Sequence, residues 1–117
     1  MSQLDLARIN AELGRDAQGL VQWALGLGQQ PIVTTNFRPF EAVILHLVTQ
    51  VQPDVPVVWM DNGYNTEATY RFADEVTKQL GLNLRIYLPL RSRAHREAVD
   101  GATPALDDPR HAAFTAE

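Results

Sequence analysis

The feature of this sequence that most constrains its fold is an alternation of short apolar segments with longer amphipathic ones. Residues 31–35, 55–60 and 82–88 are rich in β-branched and other apolar side chains and are bounded by turn residues, which is typical of strands. Residues 39–51 and 66–80 carry apolar side chains at helical spacing. Both helical connections are long enough to join parallel strands in a right-handed sense. The pattern predicts an α/β, Rossmann-like three-layer fragment with a parallel sheet in the order 3-2-1.

A single domain is expected, with N-terminal helices before the alternating core and a polar tail after it. Its three parts are residues 1–28, 31–88 and 89–117. In the first part, residues 4–13 and 16–25 have helical spacing, with Asp16 as a candidate N-cap and Gly26-Leu27-Gly28 as the break after the second helix. The middle strand, residues 55–60, is apolar at alternating positions on both sides, so we expect helices to cover both of its faces.

The tail contains two segments of different character. Residues 92–99 are predicted to form a weakly helical polar stretch, and residues 101–117 a loop. Arg91, Arg93 and Arg96 make a small basic run. Such a run forms either a solvated face or a contact with a phosphate, and the first is the more common use.

The composition excludes several classes of function. The 117 residues contain no cysteine, which excludes disulfides, thiolate metal sites and cysteine nucleophiles in this chain. His46, His95 and His111 lie at no convincing ligand spacing, so no metal site is predicted, and His46 is expected to be structural. A formal net charge of −4 offers no basic surface to a nucleic acid. No apolar run reaches the roughly 18 residues of a membrane helix, and no secretory leader opens the sequence. We therefore expect a cytoplasmic protein with neither nucleic-acid nor membrane partners.

Polar residues follow the first predicted strand, at the end of the sheet where open α/β folds bind ligands. Thr34, Thr35 and Asn36 supply donors, Arg38 adds a positive charge, and the helix that follows presents unpaired N–H groups. The residues predict an anion site. The alternative is that Thr35 or Asn36 only caps the helix and Arg38 faces water. Neither a GxGxxG nor a Walker lysine motif is present.

A second polar loop follows the middle strand. The carboxylate of Asp61 could accept hydrogen bonds from ligand hydroxyl or amino groups, and Gly63 would allow close approach of the backbone. The alternative is a tight turn in which Asp61 bonds its own backbone, with Asn62 and Gly63 as turn residues. The residues alone leave both open.

In the same order along the chain, these segments resemble the phosphoadenylyl-sulfate (PAPS) reductase family of the adenine nucleotide α-hydrolase-like superfamily. Thr34-Thr35-Asn36-Phe37 stands in the place of the family's Ser-rich, Phe-containing loop, and Asp61 with Gly63-Tyr64 matches its Asp-Thr-Gly-Tyr loop. Further matching segments are Leu45-His46-Leu47, Gln52-Pro53-Asp54-Val55-Pro56-Val57, Thr69-Tyr70-Arg71-Phe72 and Leu80-Gly81-Leu82-Asn83-Leu84.

The resemblance implies that both loops line a pocket for PAPS or adenylyl sulfate. The residues it assigns to nucleotide binding are Thr34, Thr35, Asn36, Phe37, Arg38, Asp61, Asn62 and Gly63. Members of the family are oxidoreductases of sulfate assimilation that reduce such a nucleotide to sulfite. Thioredoxin or glutaredoxin is the electron donor in many of them, and a C-terminal cysteine carries the sulfur as a thiosulfonate. We expect no bound metal or other cofactor in this chain, because the sequence supplies no metal or Fe–S ligands.

Two departures from the family pattern matter. Arg38 stands where the family usually has glycine, and its side chain could either close the phosphate pocket or donate to it. The family's Arg-rich segment and its cysteine are absent, so no catalytic residue is assigned, and this chain alone should be inactive as a reductase. The 117 residues are then either a truncated reductase or a degenerate paralogue. The alternatives in function are a non-catalytic adenine-nucleotide-binding or regulatory module, and an ATP pyrophosphatase-like or FAD-synthetase-like enzyme.

The resemblance also implies that later strands pair beside the first strand in the complete fold. Without them the edge at residues 32–35 is apolar and unpaired. We therefore expect the chain to form a homo-oligomer through that edge, with twofold symmetry.

Overall fold

The computed structural model describes residues 4–116. Within that range, six helices and three strands follow one another in the order α1 (Leu6–Leu13), α2 (Ala17–Leu27), β1 (Val33–Thr34), α3 (Glu41–Val51), β2 (Pro56–Met60), α4 (Glu67–Leu80), β3 (Asn83–Tyr87), α5 (Arg93–Asp100) and α6 (His111–Ala116). The alternation of strands and helices in the middle of the chain is the one the sequence predicts.

The three strands form an open parallel sheet with β2 at its centre. Val33 pairs with Val57 across the β1–β2 ladder, and Val57 pairs with Leu84 across the β2–β3 ladder. The predicted α/β Rossmann-like fold, parallel pairing and strand order are confirmed. β1 is shorter than predicted, because regular pairing with β2 involves only Val33 and Thr34.

The core lies between β2 and the two helices α3 and α4. Val57 and Trp59 point from β2 into a cluster that contains Leu45 of α3 and Val76 of α4, and each of these four side chains is buried. Burying an aliphatic or aromatic side chain of this size contributes about 1.5–3 kcal/mol. The hydrophobic stripes of α3 and α4 therefore fix both helices on the same face of the sheet, with Trp59 in the core between them.

The opposite face of β2 is open, which corrects the expectation that helices cover both faces. Val58 is only partly buried, and Met60 is 74% exposed. These side chains line a groove of about 790 Å³ together with Pro56, Arg85 and Tyr87. Within residues 4–116, the helical layer that a three-layer arrangement requires on this face is not present.

The helix ends follow local chemistry, with one correction. The side chain of Asp16 accepts a hydrogen bond from the N–H of Gly19, as an N-cap does, so the predicted cap of α2 is confirmed. Gly81 ends α4 in the left-handed conformation, with φ +60°, which glycine adopts at the end of many helices. The helix α2 ends within the predicted break at Gly26-Leu27-Gly28, with Gly28 in extended backbone, but it continues through Gly26 to Leu27 because one glycine in a helix costs only about 1 kcal/mol.

The tail is more ordered than predicted. Residues 111–116 form helix α6 where a loop was expected, and α5 extends one residue beyond the predicted polar helix. Arg96 of α5 is buried, with its guanidinium 4.6 Å from the ring centre of Phe114 and 5.8 Å from that of Tyr64. The rings of Tyr64 and Phe114 meet edge to face at 6.2 Å. This Tyr64–Arg96–Phe114 cluster docks α6 onto the loop after β2.

Candidate functional site

The two loops predicted to bind a ligand leave neighbouring strands at the same edge of the sheet. One follows β1 and the other follows β2, and parallel strands end at the same side. A cavity of about 250 Å³ lies at the first loop, and one of about 230 Å³ lies at the second. Met60, the last residue of β2, lines both cavities. The structure thus brings the two loops to adjacent positions around one side chain.

The first loop turns through a residue with positive φ. Phe37 has φ +55°, a conformation that side chains other than glycine seldom adopt. Its ring is buried and packs edge to face on Trp59, with 5.0 Å between ring centres. The N–H of Phe37 donates to Oγ1 of Thr35 at 2.9 Å. Core packing of the ring therefore holds the backbone in the turn.

Glu41, in the first turn of α3, reaches back into this loop. Its Oε2 accepts hydrogen bonds from Oγ1 of Thr35 and from the N–H of Asn36, both at 2.7 Å. Neither Thr35 nor Asn36 caps α3, whose N-cap position is Phe40 with no side-chain bond. The predicted capping alternative is therefore wrong, because the helix supplies a carboxylate to the loop instead of receiving a cap from it.

The hydrogen bonds also set the charge of Glu41. Partial burial of this carboxyl group works to raise its pKa. The hydrogen bonds from Thr35 and from the backbone of Asn36 and Arg38, together with the charge of Arg38, outweigh burial and hold the pKa of Glu41 below its ordinary value. The first loop therefore encloses an ionised carboxylate at neutral pH.

Asp61 organises the second loop in a similar way. This residue is 8% exposed, and its Oδ1 accepts from the N–H of Gly63, Nδ2 of Asn65 and the hydroxyl of Tyr70, at 2.9, 2.9 and 2.8 Å. Burial and the hydrogen bond to Asp61 raise the pKa of Tyr70, so the hydroxyl stays a donor. The predicted turn, in which Asp61 bonds its own backbone, is present; ligand binding by Asp61 stays a prediction.

The remaining residues of the second loop face the tail. Gly63 has φ +85°, which explains the need for glycine at this position. Asn62 accepts from the N–H of Tyr64 at 2.9 Å, and its amide donates to the carbonyl of Thr115 at 3.4 Å. Asn62 thereby joins the loop to α6.

The structure distributes the residues assigned to nucleotide binding over different environments. Thr34, Thr35 and Asn36 line the first cavity. Asp61 and Asn62 line the second. The ring of Phe37 lies in the core, and Arg38 is exposed beside the first loop. Their contacts with a ligand stay predictions.

Three residues that shape the two loops were missed at the level of sequence. Glu41, Asn65 and Tyr70 bond the loop residues directly. The signal for Glu41 was an acidic residue in the first turn of a helix, where the dipole favours a negative charge. Tyr70 and Asn65 have no comparable signal, because their contacts with Asp61 arise only when the loop closes.

The basic run and the histidines lie apart from these bonds. Arg91 pairs with Asp100 at 3.0 Å and Arg93 pairs with Glu97 at 2.9 Å, both at the surface. Arg96 departs from the predicted solvated face, because its guanidinium is buried against Phe114. Nε2 of His46 lies on the surface, 3.0 Å from the amide of Gln50.

Neither a metal cluster nor a membrane span was found in the part of the chain that the structure describes. Between residues 4 and 116, no group of three or more histidine, aspartate or glutamate side chains is arranged to hold a metal ion. None of the helices in that range has the length and apolar character needed to cross a bilayer.

Comparison with known proteins decides the family. Residues 30–107, which include both loops, match the phosphoadenosine phosphosulfate reductase domain. The chain belongs to the phosphoadenosine phosphosulfate reductase family. It is 47% identical over 98 residues to a phosphoadenosine 5'-phosphosulfate reductase of Synechococcus sp., an overlap of 82% of this chain and 42% of that protein. Similar proteins of the same name occur in Xanthomonas campestris pv. campestris and Xanthomonas oryzae pv. oryzae, each 48% identical over 99 residues.

The match to the phosphoadenosine phosphosulfate reductase family is partial in one respect. The aligned part spans 41–42% of the length of these curated relatives, although it takes up 82–83% of the present chain. The family domain begins just before β1 and ends beyond α5, so it includes the whole parallel sheet. The resemblance seen in the two loops is thereby confirmed at the level of the family.

Proposed function

We propose that this chain binds an adenylyl-sulfate nucleotide, PAPS or adenylyl sulfate, at the carboxyl ends of β1 and β2, as part of a reductase-like protein of sulfate assimilation. The observation that supports the proposal most directly is that the reductase domain match spans both loops, from residue 30 to residue 107. The relatives at 47–48% identity are named as phosphoadenosine 5'-phosphosulfate reductases.

The chemistry of the two loops fits the parts of such a nucleotide. The loop at Thr34, Thr35 and Asn36 offers hydroxyl, amide and backbone donors at the N-terminal end of α3, which suits a phosphate or sulfate group. Arg38 is exposed beside it and can add charge. The loop at Asp61 supplies acceptors, which suit hydroxyl or amino groups of a nucleoside.

This chain cannot reduce sulfur by itself. The sequence contains no cysteine, and formation of a thiosulfonate requires a thiolate. In our proposal the 117 residues supply nucleotide recognition, and a cysteine elsewhere in the protein accepts the sulfur. Thioredoxin or glutaredoxin is the proposed donor for such a complete reductase.

The lack of cysteine favours a second candidate, a nucleotide-binding module without catalysis. The two candidates share the same pocket and differ in the complete protein. If added thioredoxin and its reductant yield sulfite from PAPS with the longer protein, the catalytic candidate holds. Nucleotide binding without sulfite formation identifies the module.

Isothermal titration calorimetry with PAPS, adenylyl sulfate and ATP tests the binding step. We expect saturable heat with a sulfated nucleotide and about tenfold weaker binding by Arg38→Ala, since one charged contact contributes roughly 1.5 kcal/mol. Arg71→Ala is the matched control, because it removes an exposed arginine from α4, where its guanidinium pairs with Glu67 at 3.5 Å. Absence of heat with all three nucleotides on folded protein would reject the proposal.

A further inference from the structure

The loop between β1 and α3 presents two converging donors, the N–H of Asn36 and the hydroxyl of Thr35, which together are called the nest. Phe37 turns the backbone beside them at φ +55°, and its own N–H donates to Oγ1 of Thr35. The N–H of Asn36 and the hydroxyl of Thr35 both point to one oxygen at 2.7 Å.

That oxygen belongs to Glu41 of the chain itself. The N–H of Asn36 and the hydroxyl of Thr35, which the first loop offers to an anionic ligand, are therefore already bonded to an internal anion. A sulfate or phosphate group cannot take these donors while the carboxylate remains there, and two negative charges at contact distance repel each other.

We propose that Glu41 is a specificity-determining competitor, an internal carboxylate that an anionic group of the ligand displaces from the nest when it binds. The identity of that ligand rests on the proposed function. The site selects anionic groups that have more acceptor oxygens than a carboxylate, because only these recover more hydrogen bonds than the displaced side chain gives up. Phosphoryl and sulfuryl groups meet that condition, and neutral nucleosides do not.

Displacement of Glu41 is compatible with the rest of the structure. Glu41 is the first residue of α3 and is only partly buried, so its carboxylate can turn toward water without opening the core. After turning, it remains at the N-terminal end of the helix, where the dipole still favours its charge. The ring of Phe37 stays fixed on Trp59 and preserves the nest.

The variant Glu41→Gln tests this role. The glutamine amide oxygen can accept the bonds from Thr35 and Asn36, so the shape of the loop is kept while the charge is removed. Glu67→Gln is the matched control, since it removes the same charge from the first turn of the neighbouring helix α4. Glu41→Ala, which leaves the loop donors without the carboxyl group, provides a second variant.

Two titrations are read in parallel at constant ionic strength. Inorganic sulfate is followed through the NMR amide signal of Asn36, and PAPS is followed by calorimetry. We expect Glu41→Gln to bind both about tenfold more tightly than the unmodified chain, and Glu41→Ala to gain at least as much. Glu67→Gln should bind both as the unmodified chain does.

The outcomes separate this inference from the proposed function. Equal PAPS affinity in the unmodified chain and in both Glu41 variants would overturn the competitor role and leave nucleotide binding intact. A gain in sulfate affinity at Asn36 without binding of any adenylyl nucleotide would support the competitor role and reject the nucleotide. Weaker sulfate binding in both variants would show that Glu41 supports the nest instead of competing for it.

Discussion

Two carboxylates hold the two candidate loops, and in each loop a single carboxylate oxygen collects the donors. Oε2 of Glu41 gathers the hydroxyl of Thr35 and the N–H of Asn36 before α3. Oδ1 of Asp61 gathers three donors after β2, one of them the hydroxyl of Tyr70. Donors that converge on one carboxylate oxygen depend on one another, so removal of one donor alters the hydrogen bonds of the whole loop.

At Tyr70 we expect a measurable cost for loss of one donor. Tyr70→Phe keeps the ring, whose centre lies 5.7 Å from that of Trp59, and removes the hydroxyl that donates to Asp61. The unfolding free energy should fall by about 1–2 kcal/mol, because the bond joins a charged, buried acceptor. Urea denaturation measures it, with Tyr87→Phe at an exposed position as the control. Equal losses in the two variants would contradict the assigned role of the hydroxyl.

At Glu41 the depressed pKa makes a small part of the stability depend on pH. The pKa is lower in the folded chain than in the unfolded one. This contribution is therefore present above the ordinary glutamate pKa and is lost as pH falls through the lower, folded value. Denaturation of the unmodified chain and of Glu41→Gln between neutral and acidic pH measures it. The stability difference between the two should shrink as pH falls; a constant difference would contradict the prediction.

At the scale of elements, local signals decide most boundaries and tertiary contacts decide the rest. Asp16 and Gly81 mark helix ends through hydrogen bonding and backbone conformation that any chain can use. Helix α6, in contrast, is not specified by its local sequence alone. It is held by the contacts of Phe114 with Tyr64 and Arg96.

The same substitution at two glycines should have opposite effects on stability. Gly26→Ala lies within α2 with open space around the added methyl group, so it should stabilise by about 0.5–1 kcal/mol. Gly81→Ala also meets nothing within 4 Å, yet its φ of +60° disfavours a side chain, so it should destabilise by about 1 kcal/mol. Thermal unfolding of both variants checks the signs. A shift in the same direction would show that backbone conformation is not the cause.

The fold could be predicted from sequence because its signals are periodic and local. Residues 55–60 and the two amphipathic segments beside them fix a parallel sheet with right-handed crossovers. The predictions were wrong for segments whose structure depends on a contact with another part of the chain. β1 is limited to Val33 and Thr34 by its pairing with β2, and α6 needs Phe114 to dock.

The candidate site was predictable only in part. Its place at the carboxyl ends of two neighbouring strands follows from topology alone. The hydrogen-bond partners of the loop residues within the chain do not follow from topology. The bond from Tyr70 to Asp61 spans nine positions in sequence, and Glu41 reaches back six positions to Thr35, so no short motif contains either pair.

At the scale of the whole molecule, the sheet has one covered face and one open face. Met60 is 74% exposed and Tyr87 is 59% exposed on the open side. Within the described residues, β1 pairs with β2 only, so its other edge carries unpaired backbone groups. An apolar face that adjoins an unpaired edge is a surface that other chains can join.

Self-association through the β1 edge is therefore expected. Sedimentation at increasing protein concentration should show dimers of the unmodified chain. Ile32→Lys, at a residue 56% exposed beside β1, should give monomers, because an edge lysine blocks strand addition. Val43→Lys, at a residue 61% exposed on α3, is the matched control and should still dimerise. A monomeric unmodified chain at high concentration would contradict the prediction.

Helix α6 makes it possible to measure how often the loop after β2 opens. A helix of six residues lies below the length of about 12–15 residues at which isolated helices persist in water. It lasts only while Phe114 stays in contact with Tyr64 and the carbonyl of Thr115 accepts its hydrogen bond from Asn62. Asn62 lies 53 positions before Thr115 in the sequence. The last turn of the chain is therefore a reporter: amide exchange in α6 measures how often the Asp61 loop opens.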